Sequence, residues 1–189
     1  MPDRTTATLV LFAAFTGTRK SECFALRRSD IDLNPGKETA RIVRQYYKGE
    51  LVEQAKTLAG AREIVLAPPA AKALRELSVA QQVEERTNPH ALVFPSPRGG
   101  YWRDSNFDRR IWQKARMNAG LSGLAFHTLR YFYISMVRAQ GLPTAITEQL
   151  VGHADERTHR GYTRPIAGTE PLIRAALAAA FDLSERRGR

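Results

Sequence analysis

The sequence contains one cysteine, Cys23, so it forms no internal disulfide and cannot build a zinc site from several thiolates. That scarcity fits a reducing, cytoplasm-like compartment. Long apolar runs are missing as well. Residues 7–15 (ATLVLFAAF) form a short run, whereas a bilayer span takes about twenty apolar residues, so no membrane association is expected. The run follows Arg4 and superficially looks like a secretory signal core. Asp3 offsets that charge, no small-residue cleavage site follows, and the run leads straight into TGTR. The chain has no GxxxxGK[ST] phosphate loop, no HExxH pair and no carboxylate constellation, so neither ATP nor a metal nor any other cofactor is expected. Acidic residues are also scarce, with 19 Asp+Glu against 29 Lys+Arg, a formal charge of +10 and a pI near 10.2.

What is present is the composition of an ordered globular chain. The 189 residues are 43% hydrophobic and 25% charged, which suits one domain with a core of its own. The cationic surplus points to a polyanionic partner, nucleic acid above all. A basic enzyme without such a partner has the same balance, so charge alone does not decide.

Periodicity and turn signals predict an α+β fold, mostly α, with a small antiparallel three-stranded sheet. Thr5 to Phe15 reads as a buried helix capped by Thr5 or Thr6 and stopped by Gly17. Ser21 to Arg27 reads as a short helix capped by Ser21, with Glu22 in its first turn. Turn signals at Asn34-Pro35-Gly36 and Lys48-Gly49 punctuate residues 31–66, which read as about three short strands. From Pro68 the pattern is helical. Pro69 to Arg86 carries Ala70, Leu74, Leu77 and Ala80 at helical spacing, and the basic stretch Asn106 to Ala119 carries Phe107, Ile111, Trp112 and Ala115. Thr128 to Ala139, Ala145 to Val151 and Glu156 to Tyr162 follow as helices. Pro171 to Phe181 closes the series with a stripe of Leu172, Ala175, Ala176 and Ala179, ahead of a flexible tail at 183–189. No repeat or linker divides the chain, so residues 1–189 read as one domain.

Five features share one chemical character: Arg19 in TGTRKSE, Lys56 in AKTLAGAREIVL, His127 with Arg130 in HTLR, His153 in VGHADERT and Tyr162 in RGYTR. Each has a plain alternative when taken singly. A surface arginine, a solvated loop lysine, a capping histidine and a half-buried packing tyrosine are all commonplace. His127 and Arg130 say more, because i, i+3 spacing puts both on one face at a helix start, where free N–H groups favour an anion.

Together and in this order, the blocks resemble the catalytic domain of the tyrosine recombinase, or phage integrase, family. The resemblance runs from TGTRKSECFALRRSDID (16–32) through AKTLAGAREIVL (55–66) and HTLRYFYISMVRAQG (127–141) to VGHADERTHRGYTR (151–164). The first and last blocks are specific and the lysine block is weaker. Lys56 is preferred over Lys48 because the following Thr57 and Arg62 match the family pattern. The resemblance implies that Tyr162 is the nucleophile, attacking a phosphodiester of double-stranded DNA to form a 3′-phosphotyrosyl link. It further implies that Arg19 and Arg130 hold the non-bridging oxygens, Lys56 protonates the leaving 5′-oxygen, His127 transfers a proton and His153 supports the phosphate. Glu22 matches an acidic position that supports the architecture. The roles suit the side chains. Phosphoryl transfer depends on positioning and charge stabilisation, and the arginine fork matches phosphate geometry. A tyrosine hydroxyl, with a pKa of about 10, needs a cationic neighbourhood to attack at neutral pH.

Two features depart from the pattern. Tyr131 follows Arg130 where relatives often have a second histidine, and only a short segment precedes TGTR where relatives usually carry an N-terminal DNA-clamping domain. The chain therefore reads as a catalytic domain alone. Further DNA contacts are expected from Arg103, Arg109, Arg110, Lys114 and Arg116 before HTLR, and from Arg157, Arg160 and Arg164 around Tyr162. A solvated helix face is the alternative for each. The terminal helix either packs on its own core or docks onto a neighbouring protomer, in a homo-tetramer that assembles on DNA from monomers free in solution. The leading expectation is a site-specific recombinase or integrase in the cytoplasm, at the nucleoid. The alternatives are a type IB topoisomerase-like enzyme, or a DNA-binding remnant of a mobile-element integrase with impaired catalysis.

Overall fold

The computed structural model describes residues 3–53, 61–83, 87–152 and 168–181. Helix α1 (Arg4–Thr16) is buried over most of its circumference, with Leu9, Phe12 and Ala13 fully enclosed. Its cap is Asp3, whose carboxylate accepts the Thr6 N–H at 2.8 Å, and not Thr5 or Thr6, which are themselves buried. Gly17 ends the helix at φ 64°, donating its N–H to the Ala13 carbonyl. Helix α2 (Lys20–Ala25) starts before Ser21. Arg19 stands at its cap position, and Glu22 reaches back to accept the Arg19 N–H at 2.7 Å.

The described residues between 31 and 66 hold five strands. β1 (Ile31–Asp32), β2 (Thr39–Ile42) and β5 (Arg62–Val65) form an antiparallel sheet in the order β1-β2-β5, with Ala40 opposite both Ile31 and Ile64. β3 (Arg44–Tyr47) and β4 (Glu50–Glu53) form a separate hairpin around Lys48-Gly49. Burial accounts for the division. Ala40, Ile42 and Ile64 enter the core, whereas β4 is exposed along its length, so the hairpin lies outside the packed sheet.

Helix α3 (Pro68–Val83) buries Ala70, Leu74 and Leu77. The basic helix begins at Asp104, two residues before its expected start, and is not uniform. α4 (Asp104–Phe107) runs into a π turn (Asp108–Trp112) and continues as α5 (Gln113–Asn118). Phe107 and Trp112 face inward onto Phe126, with ring centroids 5.6 and 5.1 Å away. α6 (Thr128–Arg138), α7 (Thr144–Val151) and α8 (Glu170–Ala180) complete the described helices. The expected helix at 156–162 and the tail at 183–189 lie outside the described residues.

Helix α8 presents a different face from the one its sequence stripe suggested. Ile173, Ala176, Leu177 and Ala180 are buried, while Leu172, Ala175 and Ala179 face outward. Both sets have i, i+3, i+4, i+7 spacing, and the one that buries Ile173 and Leu177 removes more apolar surface from water. Arg174 fixes the rotation, reaching Glu38 at 3.4 Å and Glu170 at 2.9 Å.

Two cores result. One joins α1, α2, the sheet and α3 with Phe94, Trp102, Phe107, Trp112 and Phe126; the other joins α6, α7 and α8 around Tyr133. Among the described residues no helix is long and apolar enough to cross a membrane. The rotation of α8 is testable by denaturant unfolding. Leu177→Ala is expected to cost about 2–5 kcal/mol, whereas Leu172→Ala stays within about 0.5 kcal/mol of wild type.

Candidate active site

The seam between the two cores is where TGTR meets HTLR. Below the first turn, Thr16 Oγ1 donates to the Phe12 carbonyl at 2.6 Å and lies 3.0 Å from Thr18 Oγ1, which is 3.2 Å from Cys23 Sγ. Burial pushes the Cys23 thiol up to about 12, so it stays protonated and inert. Above these contacts, Gly17 takes a left-handed conformation that a side chain could not share. A Cβ there would stand 2.6 Å from the Tyr133 ring. The Gly17 carbonyl accepts a 2.7 Å hydrogen bond from Arg130 Nη1. Helix α6 thus grips the TGTR turn through its backbone.

Arg130 is 2% exposed, and its Nη2 is buried without a hydrogen-bond partner among the described residues. Burial, followed by the Arg19 charge, lowers its pKa to about 10 against the opposing pull of Glu22, so it remains a cation at neutral pH. His127 occupies the cap position of α6 and is largely exposed. Desolvation of its ring, with the charges of Arg130 and Arg19, lowers its pKa below the ordinary histidine value and keeps it neutral at pH 7. Tyr131 packs edge-on against the His127 ring, with centroids 5.1 Å apart at 88°.

Glu22 organises the other cation. Its side chain is fully buried and receives the Arg19 N–H, Arg19 Nη1 at 3.1 Å, and both arms of Arg62 at 3.0 and 2.9 Å. Burial alone would raise its pKa. The Arg62 charge and hydrogen bonds, supported by Arg19, outweigh that and hold the carboxyl below the ordinary value. Arg19 Nη2 donates to the Gly152 carbonyl at 3.2 Å, and Arg62 Nε donates to Leu150 O at 3.2 Å. A Cβ on Gly152 would stand 2.9 Å from Arg62 Nη1.

The structure therefore brings Arg19, Glu22, His127 and Arg130 together. Lys56, His153 and Tyr162 lie outside the described residues, as do Arg157, Arg160 and Arg164. Beside His127 a cleft of about 630 Å³ is lined by Thr18, Lys20, Asp108, Arg109, Gln113 and Arg116, among others. Arg103, Arg109, Arg110 and Lys114 are exposed. Arg116 is half-buried and donates to the Leu124 carbonyl, so it holds the loop before HTLR as well as facing the cleft. Lys20 is tied to Asp104 and Asp108 at 3.0 and 2.7 Å.

Sequence reasoning missed the place of Arg62, which served there only to align Lys56. A signal existed. In the alternating REIVL, Arg62 shares a strand face with the buried Ile64, and a guanidinium aimed inward requires a buried carboxylate. Because the Glu22 pKa is lowered on folding, its contribution is present above the ordinary carboxylate value of 4.5 and is lost as pH falls toward the folded value. Glu22→Gln leaves Arg62 buried without its counter-charge. Urea unfolding across pH 3–7 is expected to show a loss of about 3–5 kcal/mol at neutral pH. The gap to wild type should narrow as the solution is acidified below pH 4.5.

A model of the phage integrase family matches residues 2–167. A Mycobacterium tuberculosis protein named as a prophage phiRv2 integrase is 31% identical over 186 residues, covering 94% of this chain and 47% of that protein. Tyrosine recombinase XerD of Rickettsia bellii is 31% identical over 155 residues, covering 78% of this chain and 48% of its own. The chain thus spans about half the length of the curated relatives it matches. The fold is similar to that of the Tn1549 transposon integrase in complex with circular intermediate DNA, with a TM-score of 0.65 and 16% identity over 87% of this chain and 59% of that one. With the arginine pair held across TGTR and HTLR, these likenesses establish that the chain belongs to the phage integrase family of tyrosine recombinases and carries its catalytic domain.

Proposed function

We propose that this domain cuts and rejoins double-stranded DNA at specific sites through a covalent 3′-phosphotyrosyl intermediate, with Tyr162 as nucleophile. The observation that carries the reading is the buried Nη2 of Arg130, without a hydrogen-bond partner among the described residues, beside the half-exposed fork of Arg19. A donor left dry costs free energy, and an anionic oxygen between the two forks removes that cost. A phosphodiester supplies two such oxygens.

In this reading Arg19 and Arg130 take the non-bridging oxygens and stabilise the charge that builds on them. The neutral His127 accepts the Tyr162 hydroxyl proton as the Tyr162 Oη–P bond forms. The P–O5′ bond breaks as Lys56 protonates the 5′-oxygen, and His153 supports the phosphate by hydrogen bonding. The energy of the broken phosphodiester stays in the phosphotyrosine, so a 5′-hydroxyl of another strand reverses the step without ATP or metal. Residues 1–189 act as one catalytic unit. Exposed Arg103, Arg109, Arg110 and Lys114, the cleft-lining Arg116, and Arg157, Arg160 and Arg164 contribute to DNA binding. Assembly from monomers into a tetramer takes place on DNA, in the cytoplasm.

The test is incubation with a nicked suicide DNA duplex followed by denaturing electrophoresis. A protein–DNA adduct is expected that persists in chelator and disappears in Tyr162→Phe; DNA binding without an adduct would overturn the reading. Arg130→Lys replaces the fork by a point charge, so single-turnover cleavage is expected to fall by about 10²–10³-fold. Near-wild-type cleavage in that variant would show that the fork is not needed.

A further inference from the structure

The cations that face the substrate have a support that the reaction itself does not use. Arg62 lies at the start of β5 with its side chain 7% exposed, and it commits three donors: Nη1 and Nη2 to the two Glu22 oxygens and Nε to the Leu150 carbonyl. Glu22 then holds Arg19 by its N–H and by Nη1, and Arg19 Nη2 holds the Gly152 carbonyl. Gly152 in turn faces the Arg62 guanidinium, where a Cβ would stand 2.9 Å from Nη1. The bonds close a ring: Arg62, Glu22, Arg19, Gly152 and, through the Leu150 carbonyl two residues earlier, back to Arg62. Three separate elements, β5, α2 and the end of α7, meet in it.

We infer that Arg62 is a positioning residue for strand cleavage, fixing the Arg19 fork and the exit of the chain from α7 in one registration. This rests on the strand-cleavage reading above. Arg62 does not face the phosphate, since its guanidinium is occupied by Glu22 and covered by Gly152. It acts by keeping Glu22 ionised and unable to swing, and Glu22 holds Arg19 at both backbone and side chain. The same guanidinium sets how closely Gly152 approaches, and Gly152 immediately precedes His153 in the block that contains Tyr162. Its left-handed conformation, φ 67°, and the absent Cβ are what that approach requires. A simple ion pair between Arg62 and Glu22 would staple β5 to α2. The bonds to Leu150 and from Arg19 to Gly152 extend the constraint to the end of α7, which His153 follows in sequence.

Arg62→Lys keeps the charge and removes the fork. Two readouts separate positioning from simple stapling. The first is hydrogen exchange of the Arg19 backbone amide, which donates to Glu22. It is expected to exchange about tenfold faster or more in the variant, with the α6 core amides unchanged. The second is the split between single-turnover adduct formation on the suicide duplex and affinity for the same DNA. Cleavage is expected to fall on the order of 10²-fold while affinity holds, as a misplacement of about 1 Å would produce. Unchanged Arg19 protection, an unchanged cleavage rate, or cleavage and affinity falling in the same proportion would each overturn the assignment. If Arg62→Lys does not fold, Gly152→Ala displaces the guanidinium and also strains the left-handed turn, so it is read by the Arg19 exchange alone: faster exchange supports the assignment and unchanged exchange overturns it. If the wild-type chain forms no adduct, the strand-cleavage reading fails, and the Arg19 exchange decides by itself whether Arg62 positions that turn.

Discussion

The burial of the Glu22 carboxylate is the constraint from which the site is built. A carboxylate stripped of water is costly, and charge attraction offsets that cost only where geometry is good and the remaining lone pairs are filled. Here two guanidinium groups and a backbone N–H fill them. The arrangement leaves little freedom to any participant, because withdrawing one donor leaves an uncompensated charge in a dry place. Rigidity at the site thus follows from electrostatics inside the protein rather than from the helices alone.

The position of this pair between two cores matters as much as its strength. Arg19 and Glu22 belong to the α1–α2 side, while Arg130 and Gly152 belong to the side built on Tyr133. Helix α6 spans both, with Leu129 against the first core and Tyr133 in the second. The Gly17–Tyr133 contact and the Arg130–Gly17 bond lie at the joint, so apolar packing and the placement of a cation are decided by the same few atoms. A glycine is required there for two reasons at once, conformation and space.

Much of this was legible in the residues. The αL stop after α1, the turn presenting Arg19, the α6 start bearing His127 and Arg130, and the inward faces of α3 and of the basic helix follow from capping chemistry and periodicity. The differences have local causes. Asp3 is a stronger cap acceptor than the threonines behind it, which the core claims. Ser21 is displaced from the α2 cap because Glu22 satisfies the Arg19 N–H. On α8 two stripes of equal spacing compete, and periodicity cannot rank them; the volume of Ile173 and Leu177 does. The π turn leaves no mark in apolar spacing, and Arg62 hid because a strand-initial arginine is ordinarily solvated. The roles proposed for Lys56, His153 and Tyr162 rest on sequence order and chemistry.

The internal pairing of charges also decides which of the positive residues carry the excess. Lys20 is neutralised by Asp104 and Asp108, Arg75 by Glu38, Arg44 by Asp30 and Arg62 by Glu22. Such groups have already shed their freedom to exchange partners, so a polynucleotide approaching this surface releases few counterions on their account. The ionic-strength sensitivity of the proposed encounter is therefore governed by the exposed arginines and lysines outside these pairs, and because each pair cancels within the sum, the formal charge of +10 rests on that smaller set in full.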